Sequence, residues 1–169
     1  MHQIEQILDE ITKRYLESIF PNFALEQEVQ DKICTEEMVV VASFKGDLMH
    51  GALGMTAPAG TVAATYPLGN TRSTDLLYDW LVEIANQTLG QIKRELAHYG
   101  LELWLTVPIA LRGISIKFSG CGEEELRRYV FRGRCGDISI WVDFHYQEDL
   151  QLNFQEDTST CQAGEILLF

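Results

Sequence analysis

The sequence lacks the segments that mark a secreted or membrane-bound protein. No apolar run in its 169 residues approaches the roughly 20 residues that cross a bilayer. The amino-terminal residues from Met1 to Glu10 are acidic and amphipathic, whereas a signal peptide has a basic start followed by an apolar stretch. We therefore expect a cytoplasmic protein with no membrane partner.

Cysteine and histidine are scarce and scattered. The sequence has four of each, with no Cys-x-x-Cys pair and no spacing that would combine them as metal ligands. Reduced thiols in a cytosolic protein are the simplest interpretation of such cysteines. We predict no metal site, and no Gly-rich phosphate loop is present.

Positive charge is also in short supply. Thirteen Lys and Arg residues stand against 25 Asp and Glu residues, which leaves a formal net charge of -12. Nucleic acids and anionic membranes both require a positive surface, so we expect neither as a partner. A protein partner that carries basic groups is compatible with this charge.

The composition is that of an ordinary globular chain, with 46% hydrophobic and 22% charged residues. We predict one domain over residues 1–169, in which 149–169 form a C-terminal extension. Apolar spacing and turn residues predict helices over 3–20, 61–66 and 74–98, and strands over 38–45, 48–56, 101–107, 114–118, 126–131 and 138–146. This order indicates an α+β fold with long helices on a largely antiparallel sheet.

The predicted helix over 74–98 carries an unusual polar stripe. At about 100° per residue, Asp79, Glu83, Asn86 and Gly90 stay within roughly 40° of one line along the helix. Leucine, isoleucine and alanine fill the opposite arc and form the core face. Asn and Gly are poor residues for a helix interior, Gly costing about 1 kcal/mol relative to Ala. The stripe is therefore typical of a surface that meets a partner.

The order of these residues resembles the signature of the CheX/CheC family of chemotaxis phosphatases. The matching pattern is Asp79-x3-Glu83-x2-Asn86, then Gly90, with Pro108 after the following predicted strand. The resemblance covers most of the chain, although Asn86 and Pro108 are separated by 21 residues, one fewer than the family spacing. No glutamate of the first predicted helix has an amide three positions later, which resembles the single-site CheX branch.

The resemblance implies a function and a set of roles. The protein would hydrolyse the aspartyl phosphate of a CheY-like response-regulator receiver domain, with Asn86 orienting the attacking water and Glu83 docking to the receiver lysine. Asp79 and Gly90 would contact the partner, and Pro108 would shape the neighbouring turn. The Mg²⁺ would be supplied by the phosphorylated receiver, since this chain is expected to bind no cofactor. A homodimer formed through sheet edges is also implied.

Two other interpretations of the stripe stay open at this point. The helix can serve a non-catalytic docking module that binds a receiver domain or another signalling protein. Alternatively, the stripe is only the solvated face of a structural domain. Among the remaining charged residues, Lys93 and Arg94 are interpreted as solvated charges, and the arginines between 127 and 134 as charges at a hairpin edge.

Overall fold

A computed structural model describes residues 3–29, 32–35, 38–69, 73–112, 116–119, 127–147 and 150–154. The three helices are α1 (Gln3–Ile19), α2 (Ala59–Thr65) and α3 (Thr74–Ala97). The strands are β1 (Ala24–Val29), β2 (Lys32–Thr35), β3 (Met38–Lys45), β4 (Met49–Ala57), β5 (Trp104–Leu105), β6 (Ile109–Leu111), β7 (Ile116–Ser119), β8 (Arg127–Gly133) and β9 (Gly136–Tyr146).

Seven of these strands form one sheet in the order β1-β8-β9-β4-β3-β5, and β6 also pairs with β3. Strands β2 and β7 form a separate two-stranded sheet. Every pairing among the described strands is antiparallel. The predicted α+β class, with long helices on a largely antiparallel sheet, is confirmed.

The helices and the large sheet share one apolar core. Strand β3 alternates, so that Val40, Ala42 and Phe44 join this core together with the buried faces of α1 and α3. On the opposite face of the sheet, Trp141 packs against Val41 and Ala52. Both faces of the central strands are therefore occupied, and α3 lies against a rigid platform.

The predicted strand over 101–107 is wrong for most of its length. Leu101 and Leu103 are buried and alternate with exposed residues, which mimics a strand. Only Trp104–Leu105 pairs with β3, and the pairing resumes at Ile109–Leu111. Pro108 lies between these two segments, and because proline has no backbone N–H it cannot continue the ladder.

The sequence patterns predict no strand between residues 20 and 38, whereas the structure has β1 and β2 in this interval. Strand β1 pairs along its whole length with β8, and β2 pairs with β7. Three of the six residues in the sequence Ala-Leu-Glu-Gln-Glu-Val of β1 are polar, and they stand together in its middle. The strand is stabilised by hydrogen bonds between backbone groups, which leave no trace in the side-chain sequence. Its hydrophobic pattern is too weak for a sequence-based prediction to detect.

The segment after β9 returns to the helices. Leu150 and Leu152 pack against the core, and the Phe154 ring lies 6.0 Å from that of His98 and 5.5 Å from that of Tyr99. The extension predicted over 149–169 is described only at 150–154, and its remaining residues lie outside the described part. Among the described residues, none of the helices is long and apolar enough to cross a membrane.

Gly54 provides a test of the packing on the outer face of the sheet. A Cβ at this position would lie 2.0 Å from Cε2 of Trp141, its cross-strand partner. We expect Gly54→Ala to lower the free energy of unfolding by about 1–3 kcal/mol, because the indole has to move. Urea denaturation measures the change.

Gly60→Ala is the matched control, since a Cβ at Gly60 in α2 would meet nothing within 4 Å. This variant should be as stable as the wild type or more stable by about 0.4–1 kcal/mol. Equal stabilities of Gly54→Ala and the wild type would contradict the described packing of Trp141.

Candidate functional site

Helix α3 begins at a well-defined capping residue and is tied to the neighbouring strand. The Ser73 side chain accepts a hydrogen bond from the Leu76 backbone N–H at 3.5 Å. Arg112, which follows β6, forms an ion pair of 2.6 Å with Asp75 and lies 4.6 Å from the centre of the Tyr78 ring. These contacts hold the first turns of α3 beside the edge of the sheet.

The carboxyl-terminal end of α3 is also fixed. Gly100 has a φ of 75°, and the Leu101 N–H donates to the Leu96 carbonyl at 3.2 Å. This is the hydrogen bond of a Schellman motif, which favours glycine because its backbone is left-handed there. Arg14 of α1 pairs with Glu95 at 3.0 Å, so that α1 and α3 are joined at this end.

The predicted stripe lies on the solvent side of this fixed helix. Asp79, Glu83 and Asn86 are exposed, and Gly90 is half-exposed. Within the described part of the chain, Asp79 and Asn86 make neither a hydrogen bond nor an ion pair. The space beside Gly90 is open, because a Cβ at this position would have no neighbouring atom within 4 Å. The prediction that Glu83 and Asn86 are solvent-reachable on one helix face is confirmed. Their catalytic and docking roles stay predictions.

Glu83 has a neighbour that sequence reasoning missed. The Gln87 side-chain amide donates a hydrogen bond of 2.6 Å to Oε1 of Glu83. A separation of four residues places two side chains side by side on a helix, so this pair was detectable from the sequence. The bond restricts the rotamer of the Glu83 carboxylate and leaves Oε2 open to a partner.

Tyr15 is a second missed residue. It lies half-buried on α1, and the charges of Arg94 and Glu83 on α3 both influence the pKa of its hydroxyl. Burial raises the pKa of Tyr15 most, Arg94 lowers it, and Glu83 raises it again. No sequence signal marks it, because the interaction joins residues of two different helices.

The other charged candidates form structural contacts. Arg127 pairs with Glu5 at 3.1 Å, and Arg132 pairs with Asp137 at 2.8 Å. The rings of His50 and His145 stack at 5.1 Å on adjacent strands. Among the described residues, no three or more His, Cys, Asp or Glu side chains are grouped so that they could hold a metal ion.

Pro108, the last residue of the matched pattern, is buried and lies between β5 and β6. Two residues earlier, the Thr106 hydroxyl accepts a hydrogen bond from the Ser43 N–H at 2.9 Å, and the Thr106 N–H donates one to the Ser43 carbonyl, also at 2.9 Å. Pro108 therefore lies at an interruption of the sheet edge, and its role in shaping this segment stays a prediction.

Comparison with known proteins identifies the fold. No protein-family model and no curated protein sequence matches this chain. A CheC-like superfamily protein from Shewanella sp. PV-4 matches with a TM-score of 0.70 at 14% identity, covering 86% of this chain and 99% of that one. The chemotaxis protein CheX from Desulfovibrio desulfuricans matches with a TM-score of 0.65 at 13% identity, covering 85% and 100%.

A third similar structure is that of CheX from Borrelia burgdorferi, solved as a complex with CheY, BeF₃ and Mg²⁺. It matches with a TM-score of 0.66 at 14% identity and covers 83% of this chain and 96% of the matched one. Nearly the whole length of each of these proteins is superposable on the present chain. The chain described here therefore has the fold of the CheC/CheX-like chemotaxis proteins.

Proposed function

We propose that this protein belongs to the CheX branch and hydrolyses the aspartyl phosphate of a CheY-like receiver domain. The observation that carries the proposal is the exposure of Glu83 and Asn86 on one face of a rigid helix within a CheC/CheX-like fold. The Borrelia burgdorferi CheX of the same fold forms a complex with CheY, BeF₃ and Mg²⁺. This supports the same class of partner for the present chain.

Asn86 carries the chemical step in this proposal. An acyl phosphate is already reactive, and what its hydrolysis lacks is a water molecule held in line with the phosphorus. The Asn86 Oδ1 accepts a hydrogen bond from this water, while Nδ2 donates one to a phosphoryl oxygen. The water oxygen bonds to phosphorus, the bond from phosphorus to the aspartate oxygen breaks, and the protons of the water leave with inorganic phosphate.

This use of an amide requires no change of protonation, as with the glutamine that orients water in GTPases. Glu83 serves docking in this proposal, so the step relies on no general base from the stripe. Positioning of this kind lowers the activation free energy by about 2–4 kcal/mol, which raises the rate roughly tens to hundreds-fold.

Glu83 and its neighbours provide the docking contacts. The open Oε2 of Glu83 pairs with the receiver lysine in a charge-assisted hydrogen bond, while Gln87 holds the other oxygen. Asp79 lies one turn earlier and extends the acidic edge. The space above Gly90 admits the backbone of the receiver beside Asn86.

A homodimer through sheet edges and a cytoplasmic location also belong to this proposal. Strands β5 and β6 lie at one edge of the large sheet. Trp104 is 58% exposed and Ile109 is 62% exposed at this edge, and Val107 between them is 81% exposed. Apolar side chains of this size at a sheet edge support association through that edge.

The first functional prediction separates catalysis from docking. Asn86→Ala should lower the decay rate of the phosphorylated receiver at saturating phosphatase by at least about tenfold, because it removes an interaction made mainly in the transition state. Binding of the receiver should persist, since the acidic residues remain. The measurement is loss of phosphate from a phosphorylated receiver with and without each variant.

Glu83→Ala is the contrasting variant and should weaken receiver binding as well as turnover, because it deletes the charged anchor. Receiver decay with Asn86→Ala as fast as with the wild type would refute the phosphatase mechanism. If the wild type nevertheless binds the receiver, the interpretation as a non-catalytic docking module is favoured. If the wild type does not bind any receiver, the interpretation as the solvated face of a structural domain is favoured.

The exposed stripe should cost the helix stability. Asn86→Ala should raise the free energy of unfolding by about 0.5 kcal/mol, and Gly90→Ala by about 1 kcal/mol, because alanine has the higher helix propensity. Urea denaturation measures both. Destabilisation by either change would show that the residue makes a structural contact, against the open surroundings described here.

The Mg²⁺ required for turnover should be bound by the receiver and not by this chain. Mg²⁺ sites use carboxylates together with phosphate oxygens, and the receiver brings both. Calorimetric titration of the isolated protein with MgCl₂ should therefore show no stoichiometric tight site. A site with micromolar affinity in the absence of receiver would contradict the prediction.

A further inference from the structure

We infer that the docking face continues along α3 beyond Gly90 into a cationic end formed by Lys93 and Arg94. This end fits carboxylates on the surface of the receiver domain, at a distance from its phosphorylated aspartate. The inference rests on the proposed function and extends it, because it specifies the charge that a cognate receiver must carry outside its phosphorylation pocket.

The charges of Lys93 and Arg94 are not used within the described part of the chain. Both residues are exposed, and neither forms a hydrogen bond or an ion pair there. The adjacent Glu95 is committed elsewhere, because its carboxylate pairs with Arg14 at 3.0 Å and accepts a hydrogen bond from Gln91 at 2.7 Å. Two unpaired positive charges therefore remain on this turn, in a chain whose net charge is -12.

Helix geometry places these cations at a defined distance from Asn86. Lys93 and Arg94 follow Asn86 by seven and eight residues, which is about 10–12 Å along the helix axis at 1.5 Å per residue. At about 100° per residue they lie on either side of the line through Asp79, Glu83 and Gly90. A receiver that presents its phosphoryl group to Asn86 therefore has its adjoining surface over these two side chains.

The surface between Asn86 and the cations is continuous. Gly90 leaves a gap in which a Cβ would meet nothing within 4 Å, so no side chain separates the two halves. The face is thus acidic at Asp79 and Glu83 and basic at Lys93 and Arg94.

This charge distribution selects one orientation of the partner. The receiver lysine pairs with Glu83, which Lys93 and Arg94 follow by ten and eleven residues. A carboxylate on the receiver about 15–17 Å further along therefore pairs with the basic half. A receiver rotated by half a turn would bring like charges together at both ends. Complementary charge pairs at two points of one face therefore favour the docked orientation and exclude receivers that lack the carboxylates.

The test is charge reversal at the cationic end. Binding of the double variant K93E/R94E is titrated with each CheY-like receiver domain of the same organism, loaded with Mg²⁺ and BeF₃. In a separate experiment, the decay of the phosphorylated receiver is measured at saturating phosphatase. We expect at least a tenfold loss of receiver affinity and a saturating decay rate within twofold of the wild type. The receiver affinity of K93Q/R94Q should lie between those of the wild type and K93E/R94E.

K45E/R134E is the matched control, because it changes the net charge by the same amount at two exposed residues on β3 and in the turn after β8. Its receiver affinity should stay within twofold of the wild type. A second test is rescue: replacing receiver carboxylates near the expected distance with lysine should restore binding of K93E/R94E and weaken binding of the wild type.

The outcomes separate the inference from the proposed function. If K93E/R94E binds as tightly as the wild type while Asn86→Ala still abolishes turnover, the cationic end has no docking role and the phosphatase assignment stands. If K45E/R134E loses as much affinity as K93E/R94E, only the net charge matters and the inference is overturned. If the wild type accelerates no receiver's decay, the proposed function fails first.

Discussion

The structure depends on the burial of one face of α3. This helix contacts α1, α2, β3, β4 and β6, so it connects the helical layer to the sheet. Nine of its residues are buried: Leu77, Tyr78, Leu81, Ile84, Ala85, Thr88, Leu89, Ile92 and Leu96. Full burial of a large apolar side chain contributes about 1.5–3 kcal/mol. The apolar face therefore holds the polar face in one position.

That burial explains why the exposed face can contain poor helix formers. Asn86 and Gly90 together cost the helix less than about 2 kcal/mol relative to alanine, which is smaller than the contribution of two buried leucines on the opposite side. A loop carrying the same side chains would lose conformational entropy when a partner ordered it. A helix secured at Ser73 and Gly100 presents them already ordered, and binding then costs less.

The first helix contributes to the same surface although it carries no copy of the motif. Arg14 of α1 pairs with Glu95, so that carboxylate does not neutralise the positive charges of Lys93 and Arg94. The charges of Arg94 and Glu83 also act on the pKa of Tyr15 in α1. The candidate site is therefore built from two helices that are about 70 residues apart in the chain. The order of residues along α3 divides the face into acidic and basic halves, and the packing of α1 against α3 supplies Arg14 as the partner of Glu95.

Hydrophobic periodicity alone was enough to predict the elements whose apolar residues are buried on one side. The periodicity of α3, the hairpin of β3 and β4, and the hairpin of β8 and β9 all follow from such patterns. The exposure of Glu83 and Asn86 followed from the same reasoning, because residues opposite a buried face point to solvent.

The features that depend on backbone pairing or on contacts between distant segments could not be predicted from the sequence. Strand β1 has a weak hydrophobic pattern and is a strand because β8 offers its hydrogen-bonding groups, and Pro108, which has no N–H, lies where the pairing with β3 is interrupted between β5 and β6. Leu101 and Leu103 alternate like strand residues, yet they are buried without pairing. The ion pair of Arg14 with Glu95 has the same origin, because it joins two helices that are distant in the chain. Hydrophobic periodicity encodes which side of an element is buried, whereas the partner of each element is set by long-range packing.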